Sequence, residues 1–190
     1  MEYYLLVVNA IGALAYLINL LLYRHTANGR IDVIVTIVSL LGGSAGMLLM
    51  ILLFDRKAEK ENMMSRVFII CVFIIQIIIL LIYKGHHAEH FTFAFWKFFA
   101  EHRILLIYLG IMNLVTFIVF AIDKANARVN RSRIRIVTLL GLSFAGGSVG
   151  GLISMYLFRH KTQKDYFTVG MPLIIVMQVV VLFYVMNAGW

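Results

Sequence analysis

Apolar residues in this chain fall into six runs, each close to the length that crosses a bilayer: Tyr3–Tyr23, Ile31–Phe54, Val67–Tyr83, Ile104–Ile122, Ile134–Phe158 and Val169–Met186. A spanning helix needs about 20 largely apolar residues. None of the runs alternates apolar with polar positions as a barrel strand does. In lipid, only a helix or a closed barrel satisfies every backbone group internally. The pattern predicts an all-α polytopic membrane protein with six transmembrane helices.

Polar residues punctuate these runs. Arg24–Arg30 reads as a short turn, and Asp55–Arg66, Lys124–Arg133 and Arg159–Thr168 as charged loops. The stretch Lys84–Arg103 differs, setting His86, His87, His90 and His102 beside Phe91, Phe93, Phe95, Trp96, Phe98 and Phe99. Its apolar part is too short to span, and aromatic rings favour the headgroup level. An interfacial segment that does not cross is therefore expected. The organisation is a first three-helix repeat over 1–83, an aromatic and His-rich connector over 84–103, and a second three-helix repeat over 104–190.

Composition removes the soluble alternative. Of 190 residues, 62% are hydrophobic and 14% charged, whereas globular chains carry about 45–50% and about 25%. The formal net charge of +8 does not point to nucleic acid, because the basic residues lie between the apolar runs, where they meet anionic lipid headgroups. Membrane lipids, anionic ones in particular, are the expected partners. A homo-oligomer is compatible with the sequence, which specifies no protein partner. The lone Cys71 sits within an apolar run and reads as packing. The first residues lack a basic region and a small-residue cleavage signal, so they are read as the first spanning helix.

The chain also resembles itself. Shifted by 104 residues, positions 4–60 align with 108–164 without a gap, and 16 of the 57 pairs are identical. Asn9 meets Asn113, Arg24 meets Arg128, and Gly42-Gly43-Ser44-x-Gly46 meets Gly146-Gly147-Ser148-x-Gly150. Phe54, Lys57 and Lys60 meet Phe158, Lys161 and Lys164, and a two-residue deletion brings Gln76 onto Gln178. Shared leucines would carry little weight in such a chain; shared Asn, Gly and Gln carry more.

Three spans per copy would return the chain to the opposite side of the membrane. With a connector that does not cross, the second copy would be inverted, as in many transporters. On that topology the side bearing the termini holds nine basic residues and the other side eight. The positive-inside bias then only weakly favours cytoplasmic termini.

The second half resembles a bacterial membrane-protein family catalogued as domain of unknown function 1294. The residues that carry the likeness are Asn113, Asp123-Lys124, Ala127, Arg133, Gly146-Gly147, Gly150, and Phe158-Arg159-His160-Lys161-Thr162 with Lys164 and Phe167. The likeness covers Leu105–Phe167, and the first half is a divergent copy. Ile136 stands where the family has an acidic residue, while the first copy keeps Asp32 there. The first copy in turn has Asn19-Leu20 for Asp-Lys and Asp55-Arg56-Lys57-Ala58 for Arg-His-Lys-Thr. The resemblance implies a multi-pass protein of the bacterial inner membrane and brings no reaction with it.

Candidate sites follow from polar residues in apolar runs. The glycines Gly42, Gly43, Gly46, Gly146, Gly147 and Gly150 read either as close helix–helix contacts or as helix breaks lining a polar cavity. Asn9, Asn113, Gln76 and Gln178 should point inward, since a lipid-facing amide would lose its hydrogen bonds. They serve either interhelical bonding or a substrate pathway. Arg128, Arg133, Arg159, His160 and Lys161 are candidates for anions or lipid headgroups, against the plainer reading of snorkelling bases at helix ends. On the six-span topology Asp123-Lys124 and Arg159–Lys161 would lie on opposite membrane faces. His86, His87, Glu89 and His90 lack a second ligand pair at metal-binding spacing. No cofactor, metal or catalytic residue is assigned, although His160 could act as a general base in a headgroup enzyme. Two functions survive: a small transporter or channel with a pathway between the repeats, and a non-transporting scaffold or anionic-lipid-binding subunit.

Overall fold

The computed structural model describes residues 2–25, 32–56, 62–86 and 91–188, with side chains 23–25 excepted. Lys57, Lys60, His87, Glu89 and His90 lie outside the described residues, as does the side chain of Arg24. Among the described residues all regular structure is helical, and six helical stretches are long and apolar enough to cross a membrane. The chain divides into two compact units, Met1–Leu80 and Leu81–Trp190.

In the second unit the long helix α6 (Arg103–Arg128) is followed by α7 (Ile136–Leu142) and α8 (Ser148–Leu157). Between α7 and α8, Gly146 has φ 111° and breaks the helix within a wide π-type turn. The consequence is large. The backbone N–H of Ile134 donates to one carboxylate oxygen of Asp123 at 2.8 Å, and Nε2 of His160 lies 2.8 Å from the other oxygen. A straight helix over the same run would be about 37 Å long at 1.5 Å per residue. Its two ends could not share one side chain.

The run is therefore a re-entrant hairpin. Its second arm advances with α6: Tyr108 bonds Ala145, Asn113 bonds Gly150, Phe117 bonds Ser154 and Asp123 bonds His160, each pair 37 residues apart. A constant separation means that α6 and α8 run in the same direction. The hairpin mouth lies at Asp123, and the apex at Gly146 lies over Tyr108, Leu109 and Met112. From the mouth, α9 (Asp165–Thr168) and α10 (Gly170–Asn187) run back past the apex. Phe167 meets Phe120 edge-on with centroids 5.5 Å apart at the mouth, while Gln178 bonds the broken turn. At the apex end, Asn187 bonds Thr92 through both backbone groups, and Phe183 stacks on Phe91. The short helix α5 (Phe95–Glu101) then leads directly into α6.

The first unit repeats this plan. Helix α1 (Glu2–His25) precedes α2 (Asp32–Val38) and α3 (Ser44–Phe54), which are broken apart at Gly42 with φ 117°. Asn19 bonds Asp32 at the start of the hairpin, at 3.1 Å, and Tyr16 bonds Asp55 at its end, at 2.7 Å. Gly42 lies over Leu5 and Val8. Helix α4 (Met63–Tyr83) starts at the mouth, where Asn62 and Arg66 bond Asp55, and its Gln76 reaches the apex.

Two expectations change. Each copy holds two full-length helices and a hairpin that returns to its starting end, not three crossings, so the parity argument for an inverted second copy loses its premise. Asp123 and the His160-Lys161 pair share one cluster instead of opposite faces. The left-handed glycine permits the turn. Both hairpin arms are apolar, so hydropathy alone cannot distinguish them from one straight span.

Candidate functional site

Breaking a helix frees the carbonyls of its last turn and the N–H groups of the next. At membrane depth each needs a partner. In the second unit Gln178 on α10 donates from Nε2 to the carbonyls of Ser143 (2.7 Å) and Phe144 (3.2 Å), while its Oε1 accepts from the Ser148 hydroxyl. Asn113 on α6 accepts from the Gly150 N–H at 2.7 Å and donates to the carbonyls of Gly146 and Leu109. Tyr108 donates to Ala145 at 2.7 Å. The first unit matches almost bond for bond. Gln76 donates to Ser39 (2.7 Å) and Leu40 (3.3 Å) and accepts from Ser44; Asn9 accepts from Gly46 at 2.8 Å; Tyr4 donates to Leu41 at 2.8 Å.

The glycines divide between helix breaks and close helix–helix contacts. Gly42 and Gly146 supply the left-handed backbone that L side chains rarely adopt. Gly46 and Gly150 supply close approach, because a Cβ there would overlap the backbone carbonyls of Asn9 and Asn113. Gly43 and Gly147 are also crowded, the latter by the Thr116 hydroxyl. Against the break in the first unit lies a cavity of about 280 Å³, lined by Asn9, Gly42, Ser44 and Gln76 together with apolar side chains such as Leu41 and Phe73.

The mouths carry the charge. In the second unit Asp123 is fully buried and holds His160 at 2.8 Å, Lys161 at 2.7 Å and the Ile134 N–H. Burial pushes the Lys161 ammonium below the usual lysine range and nearby Arg133 adds to this, while Asp123 works in the opposite direction. Lys161 also lies over the Phe167 ring, 5.0 Å from its centroid. Arg128, Arg133 and Arg159, on the segments that meet at this mouth, are all exposed. In the first unit the acid sits on the hairpin and not on the long helix: Asp55, at the end of the hairpin, takes bonds from Tyr16, Asn62 and Arg66. The two copies have exchanged the position of the acid.

A sequence family described as "Protein of unknown function (DUF1294)" matches residues 113–167. An uncharacterized protein, YsdA, of Bacillus subtilis (strain 168), is 34% identical over 79 residues, which are 42% of this chain and 89% of YsdA. The chain belongs to the DUF1294 family. No solved structure matches it. The stretch shared with DUF1294 begins at the apex amide Asn113 and ends at Phe167 beside the mouth. It thus contains the whole second hairpin and the Asp123, His160 and Lys161 that hold it shut.

The structure brings Asn9 with the first glycine element and Gln76, and Asn113 with the second element and Gln178. Each set closes on its own unit. The tyrosines at the apex, Tyr4 and Tyr108, escaped the sequence reading although they are an identical pair in the same 104-residue alignment. Tyr16 and Asp55 carried no such signal, because their counterparts are Phe120 and Arg159. Among the described residues no group of three His, Cys, Asp or Glu could hold a metal ion.

Proposed function

We propose that this DUF1294 protein is a small transporter or channel of the bacterial inner membrane, passing a small polar solute along its re-entrant hairpins. The observation that carries this reading is the cavity of about 280 Å³ at the first hairpin break, where Asn9, Ser44 and Gln76 line an otherwise apolar site. Discontinuous helices whose ends meet within the membrane are a recurring way to build solute sites. The described charged side chains cluster towards the mouths and not at the breaks, which favours passive permeation over ion-coupled transport.

The orientation follows from the hairpins. In the second unit both ends of the hairpin lie at the mouth, and eight Lys and Arg residues fall between Asp123 and Asp165, against Lys84, Lys97 and Arg103 at the apex end. The positive-inside bias then favours a cytoplasmic mouth for this unit. The end of α10 lies at its apex end, and is therefore proposed to face the periplasm.

A scaffold reading has one observation in its favour: every amide at the breaks is engaged by backbone of its own unit. Cysteine accessibility separates the two. In a Cys71→Ala background, Ala45→Cys lines the cavity and Leu49→Cys faces outward from α3. A small water-soluble methanethiosulfonate should modify the first and spare the second, and liposomes bearing the unmodified protein should swell faster than empty ones in urea or glycerol. Equal protection at both positions with no gain in swelling would support the scaffold.

A further inference from the structure

The charge of this chain is sorted by level within the hairpin units. Between Asp123 and Asp165 the second unit carries eight Lys and Arg residues and only those two acids, a surplus of six out of the chain's formal +8. The described apex-end residues of the same unit carry a surplus of only two, Lys84, Lys97 and Arg103 standing against Glu101.

The surplus is not consumed internally. Asp123 is fully buried and spends its carboxylate on Lys161, His160 and the Ile134 N–H. Around this closed cluster Arg131, Arg133, Arg135, Arg159 and Lys164 are all exposed. The backbone contributes to their display. Asn130 (φ 53°), Arg159 (φ 45°) and Lys161 (φ 62°) are the non-glycine residues with left-handed backbone among the described residues, and all three lie at this mouth. At the end of α8 these turns send His160 and Lys161 inward to Asp123 and leave Arg159 outside. On the hairpin arms that lead to this mouth, Val137, Ile153, Tyr156 and Leu157 are exposed and give each arm an apolar flank.

We infer that the mouth of the second unit is a binding surface for the phosphates of anionic phospholipids in the adjoining leaflet. Exposed guanidiniums at the head of apolar flanks match a lipid in both of its parts, since arginine bonds phosphate oxygens in pairs and the acyl chains cover the exposed hairpin arms. Each basic residue near an anionic leaflet adds to the attraction, which salt screens. A soluble anion would satisfy the arginines alone and leave the apolar flank without a role.

The test uses full-length protein in a neutral detergent and reads its melting temperature with added phosphatidylglycerol, phosphatidylcholine or inorganic phosphate. Phosphatidylglycerol should raise the melting temperature by several degrees, phosphatidylcholine by much less, and 0.5 M NaCl should remove most of the difference. The Arg131→Gln/Arg133→Gln/Arg135→Gln variant should lose at least half of that shift. Lys84→Gln/Lys97→Gln/Arg103→Gln, at the apex end, should keep it. Equal shifts from both lipids, or an equal loss in the two triple variants, would overturn the inference. Inorganic phosphate matching phosphatidylglycerol at equal phosphate would overturn it in favour of a soluble anion. Should the first triple variant fail to fold, Arg159→Gln and the salt dependence of the unmodified protein decide the same question.

Discussion

His160 and Asp123 lie 2.8 Å apart, although straight helices between them would set the two on opposite faces of a membrane. The contact closes the second arm of a hairpin onto the helix beside which that arm runs. Ile134, at the start of the first arm, bonds the same carboxylate. One buried acid thus ties both ends of the re-entrant segment to α6, and Lys161 neutralises it.

Removing that acid should loosen the hairpin. A buried pair adds little net stability over an apolar substitute, but deleting one partner leaves the other charge stranded, at a cost of about 3–5 kcal/mol. Asp123→Asn should lower the melting temperature in detergent clearly, and Asp123→Asn/Lys161→Met should recover part of the loss. A single variant that melts like the parent would show that the clasp is dispensable.

The two kinds of glycine should respond differently to alanine. At Gly146, with φ 111°, a left-handed alanine should cost about 1–2 kcal/mol. Gly150→Ala should cost more, because the added carbon meets the Asn113 backbone, which cannot swing away. Gly141→Ala, on α7 with open space around it, should be neutral or stabilising. Thermal unfolding of the three variants side by side checks the order.

Gln178 should matter as a cap for the break. Gln178→Leu keeps the side-chain volume and removes the donors to Ser143 and Phe144. Leaving buried polar groups unsatisfied costs about 1–3 kcal/mol. Val179→Leu, one residue along on the exposed face of α10, should change little. A Gln178→Leu protein as stable as Val179→Leu would mean that water or lipid can replace the amide.

The hairpin also makes a topological prediction. In a Cys71→Ala background, Ser132→Cys and Gln163→Cys should both react with a membrane-impermeant maleimide from the same side of oriented vesicles. Six straight crossings would place them on opposite sides. Reaction from the cytoplasmic side would in addition support the orientation drawn from the arginines and lysines.

Several of these features are legible in the order of residues alone. Asn113 and Gln178 stand out as lone amides in apolar runs, and their inward direction follows from the cost of exposing them to lipid. Their repetition as Asn9 and Gln76 adds that they serve the same purpose twice. What they bond is not legible. The partners are backbone groups that exist only after Gly42 and Gly146 have broken their helices. Nor is the pairing of Asp123 with His160 and Lys161, since no sequence spacing relates the ends of a hairpin whose existence is hidden.

The amino-acid sequence alone therefore determined the environment and the modules: length and hydropathy belong to each segment irrespective of its neighbours, and identity at a constant offset is a property of the string. Only the tertiary structure decided the path. A largely apolar run of 25 residues costs the same to bury whether it continues straight or doubles back, and a glycine permits the left-handed turn without requiring it. The choice is made by Gln178, Asn113 and Asp123, brought in by other helices to hold the groups and the ends that the turn exposes.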